Sequence, residues 1–118
     1  MLTKRRKVKS VVWVGSSFDD LLNFPEDVRK DAGYQLHRLQ SGLEAVDWKP
    51  MSEIGHGVEE VRLRHVSGAY RIIYFARTEE AVCVLHCFSK KTQRTSGRDK
   101  HIAKVRYQAV QQEYRSQK

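Results

Sequence analysis

The fold of this chain is decided by three consecutive stretches, GVEEVRLRHV (57–66), AYRIIYFAR (69–77) and AVCVLHCFS (81–89). Each stretch is rich in β-branched and aromatic residues, and the links between them, Ser67-Gly68 and 78–80, are short and polar. Strand-like runs joined by two or three turn residues are typical of β-hairpins. The three stretches therefore predict an antiparallel meander.

The residues before the meander predict one more strand and a helical hairpin. The stretch KVKSVVWV (7–14) has the composition of a strand. The pattern over 18–40 is helical, and Pro25 divides it into a short helix over about 17–23 and a longer one. In the longer helix an apolar stripe at helical spacing predicts one face packed on a sheet. That stripe consists of Val28, Ala32, Leu36 and Leu39.

The remaining segments predict a connecting loop over 43–57 and a final helix with Asp99 as its N-cap. The expected apolar stripe of the final helix is Ile102, Val105, Ala109 and Val110. The resulting order, β-α-α-β-β-β-α, predicts an α+β fold in which helices cover one face of a small antiparallel sheet. With 118 residues, of which 40% are hydrophobic, the chain is expected to form a single domain over 1–118.

Several classes of protein are excluded by composition. The apolar run Val11–Val14 is far too short for a membrane span, so we expect a cytoplasmic protein without a membrane partner. Cys83 and Cys87 are expected to be reduced thiols. These two cysteines are four residues apart on one predicted strand, which separates them by roughly 13 Å, so they cannot bind one metal ion. Nucleotide-binding signatures are missing from the sequence, and we expect neither a metal nor a cofactor.

The net charge of +8 is concentrated at the two ends of the chain. Residues 1–9 carry five cations and no anions, and residues 90–118 carry nine cations and two anions, whereas the middle of the chain is acidic. A positive field of this kind favours a polyanionic partner, and nucleic acid is the polyanion expected for a protein with no membrane segment. The alternative is that basic ends only keep a small protein soluble.

A row of charged residues alternates with apolar ones on the first meander strand. Glu60, Arg62 and Arg64 face one side, while Val61 and Leu63 face the other. If the apolar pair faces the helices, the charged row lies on an open sheet face. The alternative is an ordinary solvated strand with cross-strand ion pairs.

The other two strands add candidates for RNA chemistry. Arg71 and His86 lie among apolar neighbours, and the strand of His86 leads directly into a basic loop, Ser89 to Thr95. Cleavage of RNA by its own 2′-hydroxyl requires a base, an acid and a group that stabilises the phosphorane. Histidine titrates near neutrality, and arginine and lysine bind phosphate. The alternative for His86 is a side chain that is partly buried and has its hydrogen bonds satisfied.

The predicted catalytic residues are His86, Arg71, Lys90, Lys91 and Arg62, and the predicted RNA-binding residues are Arg64, Arg94, Thr92 and Lys100.

The combination of GVEEVRLR, YRIIYF, VLHCFSKKTQRT and a basic C-terminal helix resembles the RelE/HigB superfamily of type II toxins. The nearest branch is that of the phage-derived addiction-module killer proteins, and the resemblance covers nearly the whole chain. It implies a RelE-like fold and a bacterial toxin that enters the ribosomal A site and cuts mRNA. By this resemblance Arg62 and Arg71 correspond to phosphate-holding arginines, and His86 with Lys90-Lys91 to the most recognisable polar residues. Two departures are Ser96, where the branch usually has proline, and Cys87, where glycine is common.

The resemblance also implies partners. These are a cognate antitoxin, expected to be a helix-turn-helix protein encoded by the adjacent gene, and the ribosome with its mRNA and rRNA. Operator DNA is expected to bind only through the antitoxin complex. Two other functions stay open: a toxin of the same fold that binds DNA gyrase, as ParE toxins do, and an inactive prophage remnant that only binds its antitoxin. Which residue is the general base is also open.

Overall fold

The structure, a computed structural model, describes residues 8–76, 79–90 and 94–116. Within these ranges the strands are β1 (Ser10–Trp13), β2 (Trp48–Pro50), β3 (Val58–His65), β4 (Gly68–Ala76) and β5 (Ala81–Lys90). The helices are α1 (Ser17–Leu22), α2 (Glu26–Gln40) and α3 (Gly97–Ser116). The strands form one sheet in the order β1-β5-β4-β3-β2. The predicted α+β class, the meander and the helical hairpin are confirmed.

The sheet is mixed rather than purely antiparallel, which corrects the predicted architecture. β1 pairs in parallel with β5, from Ser10 opposite Ala81 to Trp13 opposite Val84. β2 lies inside the segment predicted as a loop and pairs antiparallel with β3. It is three residues long and ends in Pro50, which suits an edge strand because proline has no N–H to donate. So short a strand leaves no alternating pattern in the sequence.

Helices pack on both faces of the sheet, so the expectation that they cover one face is wrong. The hairpin of α1 and α2 packs on the face that carries Val61 and Ile72. On the other face α3 packs with Met51 and Ile54 over Ile73. The predicted stripe of α3 is also wrong in part. Its buried residues are Ala103 and Val110, whereas Ala109 is exposed and Val105 is 49% exposed.

The N-cap of α3 is Ser96 rather than Asp99. The Ser96 hydroxyl accepts a hydrogen bond from the Asp99 N–H at 3.1 Å and donates one to Asp99 Oδ2 at 2.6 Å. This reciprocal arrangement resembles a capping box, in which two side chains satisfy the free N–H groups of the first turn. The cap therefore fixes the Asp99 carboxylate at the start of α3, beside the sheet.

A β-bulge in β5 decides which of its side chains face α3. Ile73 lies opposite His86 and Tyr74 lies opposite Val84, so Leu85 is an extra residue between them. A shift of one residue moves every following side chain to the other face of a strand. As a result, His86 and the alternate residues after it face α3 instead of the helical hairpin.

Gly55 is a position where the fold admits no side chain. A Cβ there would lie 2.3 Å from Cε2 of Tyr107. The Tyr107 ring packs edge-on against Phe75, and its hydroxyl donates a hydrogen bond to the His56 carbonyl. We expect Gly55→Ala to lower the free energy of unfolding by about 1–3 kcal/mol through overpacking, measured by urea denaturation. Gly33→Ala is the matched control, because nothing lies within 4 Å of its Cβ. It should stabilise α2 by about 0.5–1 kcal/mol, and equal stability of the two variants would contradict the close approach.

Candidate active site

The sheet face toward α3 carries a three-by-three arrangement of side chains with Arg71 at its centre. Arg71 lies directly opposite Arg62 on β3 and Phe88 on β5. Side chains directly opposite one another have Cβ atoms about 5 Å apart, and diagonal neighbours are within reach of long side chains. The flanking rows are Glu60, Ile73 and His86 on one side, and Arg64, Ala69 and Lys90 on the other. The fold thus brings together four of the predicted catalytic residues.

Glu60 anchors the centre of this face. Its side chain is 0% exposed, and its Oε1 lies 3.3 Å from Nε of Arg71 and 3.9 Å from Nζ of Lys49. The Thr95 hydroxyl donates to the other carboxylate oxygen at 2.5 Å. A buried carboxylate needs such partners, since an unpaired one is strongly destabilising. Glu60 therefore fixes the position of the Arg71 guanidinium.

Four cations surround this one carboxylate: Lys49, Arg62, Arg71 and Lys90. We call these four residues, together with Glu60, the Arg71 cluster. Like charges directly opposite one another, such as Arg62 and Arg71, are unfavourable in a sheet. The Nε atoms of both arginines are buried and have no hydrogen-bond partner among the described residues. A group with negative charge and several acceptor oxygens, such as a phosphate, would satisfy them.

The Arg71 cluster changes the pKa of two of its cations. Burial lowers the pKa of the Lys90 ammonium, and the charge of Arg71 lowers it further against the opposing effect of Glu60. Burial also lowers the pKa of the Arg71 guanidinium, with Glu60 opposing the shift. Arginine nevertheless stays protonated at any physiological pH, because its ordinary pKa is above 12. Lys90 is therefore the member of the cluster made more able to exchange a proton.

The charged row is less open than the sequence predicts. Arg71 and Lys90 are each 7% exposed, and Glu60 is buried under Thr95. Arg62 is half-buried and Arg64 is exposed. The prediction of an open charged face is therefore correct only for the β3 arginines, because α3 and the residues before it pack on this same face.

His86 lies at the corner of the arrangement and is paired with Asp99. Its Nε2 lies 2.8 Å from Asp99 Oδ1, and its ring stacks on Phe88 with centroids 4.8 Å apart. The residue is 6% exposed, and its buried Nδ1 has no hydrogen-bond partner in the described part of the chain. A carboxylate that holds one imidazole nitrogen fixes the orientation of the ring. The pair with Asp99 was not predicted, because thirteen residues separate the two in sequence.

An open cleft of about 840 Å³ adjoins this corner. It lies between the corner of the α1–α2 hairpin, the first turn of α3 and the edge of β5 that β1 leaves unpaired beyond Val84. Arg106 covers the start of that edge, donating to the Leu85 carbonyl at 2.9 Å and to the Ser16 hydroxyl at 3.0 Å. Cys87 also lines the cleft, but burial raises the pKa of its thiol to about 12. A thiolate nucleophile is therefore not available near neutral pH.

The other predicted residues lie outside the Arg71 cluster. Arg64 lies 3.9 Å from Asp47, and Lys100 lies on α3, 3.6 Å from Glu53. Arg94 is exposed, next to Thr95. Lys91 and Thr92 lie outside the described residues. Over the described ranges, there is no group of three or more His, Cys, Asp or Glu residues arranged to bind a metal ion.

Sequence reasoning missed three contributors to the site. No pattern in the sequence indicates Lys49, because β2 is too short to alternate, and the sequence indicates only a helix cap at Asp99. Glu60 was seen as part of the charged row but not as the buried partner of Arg71. The available signal for Glu60 was its position two residues before Arg62, on the same face of one strand.

A family model described as phage-derived Gp49-like protein matches residues 19–108, which is more than half of the chain. The chain belongs to the phage-derived Gp49-like family. This is a family of toxin-like proteins of toxin–antitoxin systems. The matched range of this Gp49-like protein contains the whole Arg71 cluster together with His86 and Asp99. A search of the curated proteins found no match. In the part of the chain that the structure describes, no helix is both long and apolar enough to cross a membrane.

Proposed function

We propose that this Gp49-like protein is a toxin of the RelE/HigB type, a metal-independent endoribonuclease that cuts mRNA on the translating ribosome. The observation that carries this proposal is the Arg71 cluster, in which four cations surround a single buried carboxylate. The Nε–H groups of Arg62 and Arg71 make no hydrogen bond within the described residues, although Arg71 Nε lies 3.3 Å from Glu60, and guanidinium groups are well suited to bind a phosphate. The family, whose members are toxin-like proteins, supports the same conclusion.

The proposed reaction needs no water and no cofactor in its first step. The 2′-oxygen of one nucleotide attacks the adjacent phosphorus, and the bond from phosphorus to the 5′-oxygen breaks. The products are a 2′,3′-cyclic phosphate and a free 5′-hydroxyl. Arg71 and Arg62 would bind the non-bridging oxygens and stabilise the negative charge that develops on the phosphorane. Electrostatic stabilisation of this kind is usually the largest single contribution to catalysis.

Two proton carriers flank Arg71 on the diagonals of the sheet face. Lys90 has a lowered pKa, and His86 is oriented by Asp99. One proton leaves the 2′-hydroxyl and one reaches the departing 5′-oxygen, so two such groups suffice for the reaction. Proton transfer is assigned to this pair, and Glu60 is assigned the role of holding Arg71 in position.

The proposed RNA partners follow from the same surface, and the proposed antitoxin follows from the toxin–antitoxin family. Exposed Arg64 and Arg94 lie at the rim of the cluster and would contact backbone phosphates of mRNA or rRNA. A cognate antitoxin encoded by the adjacent gene would neutralise the protein. Co-purification of the chain with the product of that gene tests this assignment.

The proposal is tested by inducing the protein in a bacterial host and mapping mRNA 5′ ends by primer extension within minutes. Wild type is expected to cut at defined positions inside translated frames. Arg71→Lys keeps a charge beside Glu60 but loses the planar fork, so cleavage should fall by about 10²–10³. Arg29→Lys, on the exposed side of α2, is the matched control and should cut like wild type.

Two other outcomes of this experiment would support the two alternative functions. Growth arrest with intact mRNA and a DNA-damage response would replace the nuclease by a gyrase-binding toxin. No arrest and no inhibition of translation would identify an inactive remnant that only binds its antitoxin. Cleavage at the wild-type level by the Arg71→Lys variant would show that the Arg71 guanidinium has no role in the reaction.

A further inference from the structure

The cleft enters the cleavage chemistry assigned above only through His86, and it borders the sheet face that carries the Arg71 cluster. His86 and Phe88 line the cleft, and Phe88 lies directly opposite Arg71 in the sheet. The cleft wall on the hairpin side includes Asn23 and Pro25, and the wall on the α3 side includes Arg98. Its volume, about 840 Å³, lies within the range of small-molecule sites.

Most charged groups of the cleft are already paired. Asp20 accepts a hydrogen bond from Ser16 at 2.7 Å, and Asp99 is held by Ser96 and His86. Arg106 donates to Leu85 and Ser16. In contrast, the side chains of Asn23 and Arg98 make no hydrogen bond or ion pair with any described residue. Together with the Ser89 hydroxyl, these two are the polar side chains of the cleft that remain for a ligand.

Arg98 is placed where a cation is unfavourable without an anion. It follows the N-cap of α3 by two residues, in the first turn, where the helix dipole is positive. An anion bound there would interact favourably with both Arg98 and the helix terminus. His86 lines the same cleft and is 6% exposed, and its buried Nδ1 has no hydrogen-bond partner among the described residues.

We infer that this cleft binds the nucleotide of the RNA chain next to the cleaved bond, with Arg98 on its phosphate and Asn23 on the edge of its base. The inference rests on the proposed function, and it names Asn23 as a residue that sets the sequence preference of cleavage. An asparagine amide offers both donors and an acceptor, as reading of a base edge requires. RNA is favoured over a protein segment because Phe88, which lines the cleft, lies directly opposite Arg71 in the sheet, so neighbouring nucleotides of one chain could reach both sites.

The first test compares cut positions in cells for wild type, Asn23→Ala and Arg98→Ala. For Asn23→Ala we expect the base preference at one position beside the cut to fall by about tenfold while cutting continues. For Arg98→Ala we expect weaker cleavage at every site, because a phosphate contact carries no sequence information. Gln108→Ala and Arg29→Ala are exposed controls outside the cleft and should match wild type. Unchanged preference and rate in both cleft variants would overturn the inference.

A second test does not depend on catalysis. Purified protein is titrated with a trinucleotide that carries a 2′-deoxyribose at the cleavage position, and binding is followed by NMR at backbone amides. Wild type should show shifts around Asn23 and Arg98, and each cleft variant should bind at least several-fold more weakly. If wild type cuts no RNA but binds the trinucleotide in this way, the proposed nuclease fails and the cleft assignment stands. Binding that the variants leave unchanged, or variants that weaken only the antitoxin complex, would overturn the assignment.

Discussion

Arg71→Ala is expected to lower the free energy of unfolding by about 3–5 kcal/mol, which is a large share of the stability of a domain of this size. The reason is the buried carboxylate of Glu60, which loses its closest charged partner, 3.3 Å away. Urea denaturation of the purified protein measures the loss. Arg64→Ala is the matched control on the neighbouring row. Its loose contact with Asp47 is exposed, so its removal should cost at most about 1 kcal/mol.

The double variant Arg71→Ala with Glu60→Gln separates stability from activity. The neutral amide removes the stranded charge, so we expect it to recover more than half of the stability lost in Arg71→Ala. Cleavage of mRNA should stay lost, because no guanidinium remains at the centre of the sheet face. A double variant that regains cleavage would show that Arg71 acts through folding alone. A single variant as stable as wild type would contradict the buried ion pair.

Lys90→Met is expected to reduce RNA cleavage by about 10²–10⁴ while making the protein more stable at pH 7. The loss follows from removal of a proton carrier beside Arg71. The gain in stability follows from burial, because the charged ammonium is unfavourable in the folded state and the lowered pKa reports that cost. Opposite signs for activity and stability distinguish this residue from one that only supports the fold. Lys104→Met, exposed on α3, should change neither quantity.

The sign of the pH dependence follows from the lowered pKa of Lys90. Between the folded pKa and the unfolded value of 10.5, the unfolded chain binds the additional proton. Stability of wild type therefore rises with pH through this window, relative to Lys90→Met. The stability advantage of the variant is greatest below the folded pKa and disappears as the pH approaches 10.5. Urea midpoints for both proteins at several pH values measure this, and a difference that grows with pH would refute the buried ammonium.

Local patterns determined much of this fold. The β-branched and aromatic composition of the three stretches from 57 to 89, with their short links, is enough to predict β3, β4 and β5. The stripe of Val28, Ala32, Leu36 and Leu39 is buried as predicted. The helix break at Pro25 is also confirmed. In each case the signal is contained within one element or in the short link to the next. β2 and the parallel pairing of β1 with β5 depend on partners distant in sequence and were therefore missed.

The sequence by itself determined that Arg62, Arg71 and His86 lie on meander strands, and it predicted Lys90 in the basic loop that follows. Only the tertiary structure extended β5 to Lys90 and decided that the four residues share one face. Strict alternation along β5 would have turned His86 toward the helical hairpin, and the bulge at Leu85 turns it and Lys90 to the face of Arg71. A bulge is a property of the pairing between two strands and leaves no periodic pattern in one of them. The burial of Glu60 likewise depends on Thr95, which lies thirty-five residues away in the chain. Residue types thus fixed the available chemistry, while strand register and long-range packing brought that chemistry to a single face.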